Sequence, residues 1–272
     1  MQSKLSFSVL MSLYGKENPL FFREAFRSIY EEQTRKPDEI VLVLDGPIPT
    51  DLQTEVEKVR HTAGPILTIV ELPTNNGLAT ALNTGMKHCT HEWIFRMDTD
   101  DIALPNRFQV QTQYLENHPH IDVLGALMEE FDSSNTNYSV MRHIPENHKD
   151  IVKFAKSRNP INHPVCCFKK SIAKEAGGYP LVYPEDYLLW IKLIQAGRSF
   201  HNLQTPLLRM RTGEAFIKRR GIDMLKGELR TYRYMLEIGF INRKEYLVTS
   251  ALRSVVRLVP GWLKVIAYRY LR

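Results

Sequence analysis

Phe7 to Leu13 and Glu39 to Leu44 are apolar, β-rich runs of strand length, and between them Phe22, Ala25, Phe26, Ile29 and Tyr30 recur at helical spacing. This pattern predicts a strand, a helix and a second, parallel strand. It then repeats: Asp51 to His61 reads as helix, Ile66 to Leu72 as strand, Leu78 to His88 as helix and Trp93 to Met97 as a short strand. Alternation of this kind predicts an α/β fold, a mixed but mostly parallel sheet flanked by helices on both faces. Asn106 to Asn117 adds a helix and Ile121 to Met128 a further strand.

After that the regularity lapses. Residues 130 to about 165 are polar, with Ser133, Ser134, Asn135 and Asn137 reading as a surface loop among weaker strands. From Tyr187 an apolar helix runs to Gly197, where glycine just past the last periodic residue marks a stop. Leu207 to Met210 reads as a last strand, and residues 217 to 271 as two or three amphipathic helices interrupted near Gly239 and at Pro260-Gly261. The expected division is a domain over residues 1–212, with one half at about 5–105 and the other at about 106–212, followed by a basic helical extension over 213–272.

A chain of 272 residues with 43% hydrophobic positions can bury one large core or a core plus an appendage, which excludes a disordered or fibrous protein. The N-terminal apolar run is too short and too interrupted by serine to be a secretion signal. No stretch approaches the roughly 18 to 20 uninterrupted apolar residues of a spanning helix. Only Cys89, Cys166 and Cys167 are present, without a C-x-x-C pair, so neither a disulfide framework nor a thiolate zinc site is expected and a reducing, cytoplasmic setting fits. The net charge of +6 is uneven, because residues 209–272 hold 15 Lys and Arg against 5 Asp and Glu. Basicity confined to the tail suits nucleic acid, anionic lipid or a polyphosphate ligand, and also an ordinary solvated helical face.

Ligands of open α/β sheets collect at the carboxyl ends of strands. There the first strand delivers Ser12, Tyr14 and Gly15, the second Asp45 and Gly46, and the fourth Asp98, Thr99, Asp100 and Asp101. Carboxylates packed this closely repel one another and need a compensating cation. Hard oxygen ligands suit magnesium or manganese, which keep positions open for phosphate oxygens and water. The same run also suits a solvated turn ahead of the next helix. Asn75 and Gly77 form a turn at a helix entrance, where backbone N–H groups can face an anion or simply start the helix. Glu185 and Asp186 precede the Leu-Leu-Trp helix, placed either to accept a proton or to cap it.

Together these segments resemble the inverting glycosyltransferases of glycosyltransferase family 2, over about residues 5 to 212. The resemblance runs in order through Phe7-Ser8-Val9-Leu10-Met11-Ser12-Leu13-Tyr14, Val41-Leu42-Val43-Leu44-Asp45-Gly46, Asn75-Asn76-Gly77-Leu78-Ala79-Thr80-Ala81-Leu82-Asn83, Asp98-Thr99-Asp100-Asp101 with Pro105-Asn106-Arg107, and Pro184-Glu185-Asp186-Tyr187-Leu188-Leu189-Trp190. It implies the Rossmann-like GT-A fold and transfer of a sugar, hexosyl or N-acetylhexosaminyl, from a nucleotide diphosphate donor, most often a UDP-sugar, to an acceptor hydroxyl in bacterial surface-polysaccharide assembly. It further implies that Ser12, Tyr14 and Asp45 meet the nucleoside, that Asp98 and Asp100 hold Mn2+ or Mg2+ on the diphosphate side with Asn75, Gly77 and Thr99 nearby, and that Asp186, beside Glu185, is the general base. Gly15 and Leu44 depart from the family, in which Asn and a second acidic residue are frequent there, and the Gln-x-x-Arg-Trp motif of processive polymerases is absent. Single addition is therefore expected.

On the acceptor side the resemblance brings in Asp101 and His163. Arg211, Lys218, Arg219 and Arg220 read as a basic loop beyond the last strand, either a mobile lid over the diphosphate or a solvated helix start. In the tail, Val255, Val256, Leu258, Trp262, Leu263, Val265 and Ile266 alternate with Arg253, Arg257, Lys264 and Arg269. Such a helix suits the inner face of an anionic membrane, where a lipid-linked saccharide acceptor is reached, and equally suits packing on the catalytic domain. Two competing readings are a sugar-phosphate nucleotidyltransferase, for which Leu13-Tyr14-Gly15-Lys16-Glu17 is a poor phosphate loop, and a nucleic-acid binder, for which no binding motif accompanies the charge.

Overall fold

The computed structural model describes residues 4–133, 135–212 and 222–258, with the side chains of 135–137 undescribed. Strands β1 (Phe7–Tyr14), β2 (Glu39–Asp45), β3 (Leu67–Glu71) and β4 (Trp93–Arg96) alternate with helices α1 (Pro19–Ile29), α2 (Thr50–Ala63) and α3 (Leu78–His88). The apolar residues of β1, β2 and β4 are buried on both faces, as inner parallel strands require, while the edge strand β3 is only partly covered. Phe7, Val9, Met11 and Leu13 point into one core layer with Phe22, Phe26 and Val56 of α1 and α2. Leu10, Val41 and Val43 point into the other with Ala81 and Leu82 of α3.

The strand order β3-β2-β1-β4 means that the chain leaves β1 toward one side of the sheet and returns on the other. A crevice therefore opens at the carboxyl end of β1, the switch point where α/β sheets bind ligands. Parallel register fixes what stands there, since Tyr14 pairs with Asp45 across β1 and β2 while Leu10 pairs with Arg96 across β1 and β4.

Beyond β4 come β5 (Ile102–Ala103), α4 (Arg107–Asn117), β6 (Val123–Asp132), β7 (Asn135–Arg142) and α5 (His148–Ala155). They are followed by β8 (Cys167–Lys169), α6 (Lys170–Glu175), α7 (Glu185–Gln195), β9 (Phe200–Thr212), α8 (Ile222–Glu237) and α9 (Arg243–Leu258). β8 joins antiparallel between β4 and β6, β9 runs parallel to β6, and β5 pairs antiparallel with β9. The sheet is thus mixed but parallel across β3, β2, β1 and β4, as expected.

Two details differ from the sequence reading. The expected surface loop around Ser133 to Asn137 is cut short, since β7 begins at Asn135 and pairs with β6. The last strand is thirteen residues long rather than four, because the partner strand β6 continues to Asp132 and supplies a ladder that the polar side chains of β9 do not advertise. The helices after residue 222 are the expected C-terminal helical segments, and Tyr232 and Met235 of α8 are wholly buried and join the core beside Tyr187 and Trp190. Gly197, at φ +71°, ends α7 as expected. Gly239, at φ +71°, precedes the break between α8 and α9, where Asn242 and Glu245 exchange backbone and side-chain bonds as a capping box.

Candidate active site

A single cleft of about 1850 Å³ runs from the ends of β1 and β2, past the Asp98–Asp101 turn, to the start of α7 and the inner sides of α8 and α9. Ser12, Tyr14, Asp45, Asn75, Gly77, Asp98, Thr99, Asp100, Asp101, His163, Glu185, Asp186 and Arg211 all line it. Of the expected site residues, Arg219 and Arg220 lie outside the described residues.

At the nucleotide end Asp45 is buried, and its two oxygens accept the backbone N–H groups of Asn76 at 2.8 Å and Gly77 at 3.0 Å. The carboxylate therefore shapes the turn that enters α3. Gly46 is obligatory beside it: φ is +86°, and a Cβ would stand 2.5 Å from the Asn75 nitrogen. Asn75 faces the cleft and provides no side-chain cap for α3, whose N-cap position is Gly77.

The acidic turn owes its tolerance of close carboxylates to separate partners for its members. Asp98 pairs with the guanidinium of Arg96, which is wholly inaccessible, while the Asp98 side chain remains 31% exposed to the cleft. Arg96 also donates to the Leu10 and Met97 carbonyls. Burial works against its charge most, and Asp98 together with Tyr179, Cys166 and Glu185 offsets this and holds its pKa up. Arg107 supports the turn from beneath, donating to the Arg96 carbonyl at 2.5 Å and to Gln111 at 3.1 Å. Thr99 donates to the Ser12 carbonyl at 3.2 Å, which ties the turn to β1. Asp101 is buried and one oxygen accepts the Arg211 backbone N–H at 2.8 Å. Burial first, then the charges of Asp100 and Asp98, push its carboxyl well above the usual carboxylate range.

Arg211 corrects the expectation of a mobile lid. It lies within β9, lies 3.9 Å over the Phe21 ring, donates to the Asp100 carbonyl and pairs with Glu24 at 2.6 Å. A guanidinium held by stacking, a carbonyl and a carboxylate is a fixed wall of the acidic turn.

At the far end Glu185 and Asp186 form the first turn of α7 instead of preceding it. Asp186 Oδ2 accepts the Asn159 side-chain amide at 2.6 Å and Oδ1 accepts the Tyr187 N–H at 2.9 Å. Burial raises its pKa, opposed by those two bonds and by Arg142. Glu185 is pushed up to about 7 by burial and by the neighbouring Asp186 charge. The segment that presents Asn159 is itself anchored: the Ser157 carbonyl accepts the Tyr232 hydroxyl at 2.9 Å and Arg253 Nη2 at 2.8 Å, and Tyr187 donates to the Ala155 carbonyl at 2.7 Å. Sequence reading missed the part of Asn159, Tyr232 and Arg253, which reach Asp186 only through tertiary contacts. It also missed Arg96, though an arginine inside the apolar run Trp93 to Met97 was a visible signal of a buried charge requiring a partner.

His163 is buried, bonds the Tyr179 hydroxyl at 2.9 Å and packs near Trp190. Burial, then the nearby Arg96 charge, holds its imidazole well below the usual range, so it stays neutral. The three cysteines are buried, and burial pushes their thiols up, Cys89 to about 12, which suits packing rather than nucleophilic chemistry.

This cleft at the carboxyl edge of a parallel sheet, with carboxylates along it, can be set beside the chain's relatives. The model of glycosyl transferase family 2 matches residues 8–176. The chain is 42% identical over 257 residues to an uncharacterized glycosyltransferase of Haemophilus influenzae, covering 94% of this chain and 95% of the relative. It is 39% identical to the amylovoran biosynthesis glycosyltransferase AmsE of Erwinia amylovora, with 97% of each chain covered. It is 33% identical to the UDP-Gal:alpha-D-GlcNAc-diphosphoundecaprenol beta-1,3-galactosyltransferase of Escherichia coli, covering 93% and 92%. Among solved structures, residues 1–349 of S. aureus TarS superpose with a TM-score of 0.65 at 19% identity, covering 92% of this chain and 71% of that one. The mannosyltransferase PcManGT of Pyrobaculum calidifontis, in complex with GDP-Man and Mn2+, superposes at 0.62 and 17% identity, covering 97% and 79%.

The chain belongs to glycosyl transferase family 2, with the GT-A fold. It is an enzyme that moves a sugar from a nucleotide diphosphate donor to an acceptor in polysaccharide or glycolipid biosynthesis.

Proposed function

We propose that the enzyme adds one hexosyl or N-acetylhexosaminyl unit from a UDP-sugar to a saccharide or lipid-linked saccharide hydroxyl, with Asp186 as the general base. The observation that carries this reading is the burial of Asp186 in the same cleft that Asp98 and Asp100 line. UDP as the nucleotide is supported by the E. coli relative, whose name specifies UDP-Gal, and by a TarS structure in complex with UDP.

Asp98 and Asp100 fit a divalent cation of the magnesium or manganese type. Such ions take one or two carboxylates and complete their shell with phosphate oxygens and water. Among the described residues no group of three or more His, Cys, Asp and Glu is placed to hold a metal ion by itself. When bound, the cation would neutralise charge on the departing diphosphate.

The chain's own residues supply the rest. Asp45 holds the Asn75 to Gly77 turn against the nucleoside end, and Arg96 and Arg107 fix the acidic turn from below. At the other end the acceptor hydroxyl meets Asp186. Its oxygen bonds to the anomeric carbon from the face opposite the nucleotide, its proton passes to the Asp186 carboxylate, and the bond from that carbon to the diphosphate oxygen breaks, releasing UDP. Configuration inverts. The absence of a spanning helix among the described residues is compatible with an enzyme working in the cytoplasm, with its C-terminal helices against the inner membrane face; nucleic acid has no part in this reading.

The test is the anomeric configuration of the product by NMR, with Asp186→Asn alongside. An inverted product from the native enzyme, and a fall in transfer of about 10²-fold or more in the variant with UDP binding intact, supports the reading. A retained configuration, or unimpaired transfer by the variant, overturns it.

A further inference from the structure

The cleft holds a buried polar side chain whose hydrogen bonding is only half complete and which the transfer steps do not use. His163 opens a short 3-10 turn, His163–Val165, is 9% exposed and lines the cleft. Its Nε2 meets the Tyr179 hydroxyl at 2.9 Å, while Nδ1 has no hydrogen-bond partner among the described residues.

Tyr179 decides which ring nitrogen carries the proton. It is 1% exposed, its hydroxyl has no other partner among the described residues, and burial pushes its pKa well above the usual range, so the O–H stays protonated. A buried hydroxyl left without an acceptor is costly, so Tyr179 donates and Nε2 accepts. The ring proton then sits on Nδ1. The imidazole is neutral, because burial and the Arg96 charge both oppose a second proton. His163 therefore holds one N–H that no described residue takes.

Three contacts set the place of this N–H. The Arg96 backbone N–H donates to the Cys166 carbonyl at 2.9 Å, which ties the end of the turn to the strand that delivers Asp98. The His163 ring packs 6.2 Å from Trp190, which lies one helical turn beyond Asp186 on the same face of α7. The Asn83 side chain holds the backbone of Tyr179, donating to its carbonyl at 2.8 Å and accepting its N–H at 2.7 Å, and Asn83 belongs to α3, the helix whose entrance Asp45 shapes. His163 is thus braced by the elements that carry the acidic turn, the buried carboxylate and the Asn75 to Gly77 turn. A sugar passing from the diphosphate to the acceptor lies among these elements.

We propose that His163, held by Tyr179 as the Nδ1–H tautomer, donates a hydrogen bond to an oxygen of the transferred sugar, a hydroxyl or an N-acetyl carbonyl, and so selects that sugar. This rests on the reading of the cleft as a nucleotide-sugar site and moves His163 from the acceptor side, where the resemblance put it, to the donor sugar. A buried donor that must be matched discriminates against a sugar with no oxygen at that position.

The experiment has two parts. Two-bond 1H–15N correlation of the full chain, with the His163 signals assigned by their absence in His163→Ala, should show the proton on Nδ1 in the native chain and a mixture of tautomers in Tyr179→Phe. A proton fixed on Nε2 overturns the proposal, and this reading does not depend on the donor. Calorimetry then compares UDP with UDP-glucose, UDP-galactose, UDP-GlcNAc and UDP-GalNAc in the presence of Mn2+. For the UDP-sugar that the native chain binds best, His163→Ala should weaken binding by about tenfold and Tyr179→Phe by about threefold, with UDP affinity unchanged in both. His163→Asn, whose amide nitrogen reaches the position of Nδ1, should recover part of the loss. Unchanged UDP-sugar binding in His163→Ala, the result expected if the imidazole meets the acceptor, overturns the proposal. So does an equal fall for UDP and the UDP-sugars, the mark of a loosened fold alone. Should His163→Ala not fold, His163→Asn serves for the signal assignment and Tyr179→Phe decides by the same ratio of UDP-sugar to UDP affinity. A native chain that binds GDP-mannose and none of the UDP compounds would strike the UDP reading, and the same ratio taken between GDP-mannose and GDP would still decide the role of His163.

Discussion

Asn159 donates its side-chain amide to Asp186 Oδ2 over 2.6 Å, and the turn that carries Asn159 is anchored by Tyr232 and Arg253 from the last two described helices. The C-terminal helices thereby take part in holding the carboxylate proposed as the base. A hydrogen bond to a charged group is worth about 1.5–3 kcal/mol, and this one favours the ionised form of a carboxyl that burial drives toward neutrality. Asn159→Ala should therefore lower kcat/KM at neutral pH by about tenfold or more and move the acid limb of its pH profile upward. An unshifted limb would show that Asn159 does not tune the base.

Glu185 gives a second pH signature. Its folded pKa of about 7 lies above its ordinary 4.5, so the folded state binds the proton more tightly and stability declines as pH rises between those values. Glu185→Gln removes that penalty. Thermal midpoints should rise at pH 8, by the equivalent of on the order of 2 kcal/mol, and change little at pH 4. A variant equally stabilised at both pH values would contradict this.

Asp98 and Asp100 should separate by stability. Truncating Asp98 leaves the Arg96 guanidinium buried beside an empty position. Loss of one partner of a buried pair costs about 3–5 kcal/mol, and the partial exposure of Asp98 places this case below that range. Asp98→Ala should lower both the thermal midpoint and donor affinity, whereas Asp100→Ala should lower metal-dependent donor affinity with a smaller stability change. Calorimetry of both variants with and without Mn2+ and UDP checks the contrast.

Gly227 marks the closest approach of α8 to the site. A Cβ there would lie 1.4 Å from the Tyr183 carbonyl oxygen, two residues before Glu185. The obstacle is backbone and cannot rotate away. Gly227→Ala should displace α8 or the start of α7 and reduce kcat through Asp186, although alanine is the better helix former. Native kcat in this variant would show that the two elements move independently of the base.

The nucleotide half of the fold was legible because fully buried parallel strands declare themselves as apolar runs and their ends fall at a predictable edge. Ser12, Asp45 and Asp98 stand at that edge for this reason. The acceptor half was not, since β7 and much of β9 are polar strands held by a ladder with β6, and ladders leave no mark in local composition. For the same reason Asp186 was visible as an acidic pair at a helix start, while Asn159 and Arg253 come together only through packing of α5, α7 and α9. Arg211 was misread because a basic residue near a glycine resembles a loop, although its neighbours Leu208 and Met210 already carried the strand alternation.

The central claim is that one cleft holds the donor by Asp98 and Asp100 and the acceptor by Asp186, as separable functions. The most direct measurement is thermal stabilisation by UDP-sugar with Mn2+ in the native enzyme, Asp100→Ala and Asp186→Asn. The account predicts stabilisation of the native enzyme and of Asp186→Asn, and its loss in Asp100→Ala. Full stabilisation of Asp100→Ala together with none in Asp186→Asn would contradict it.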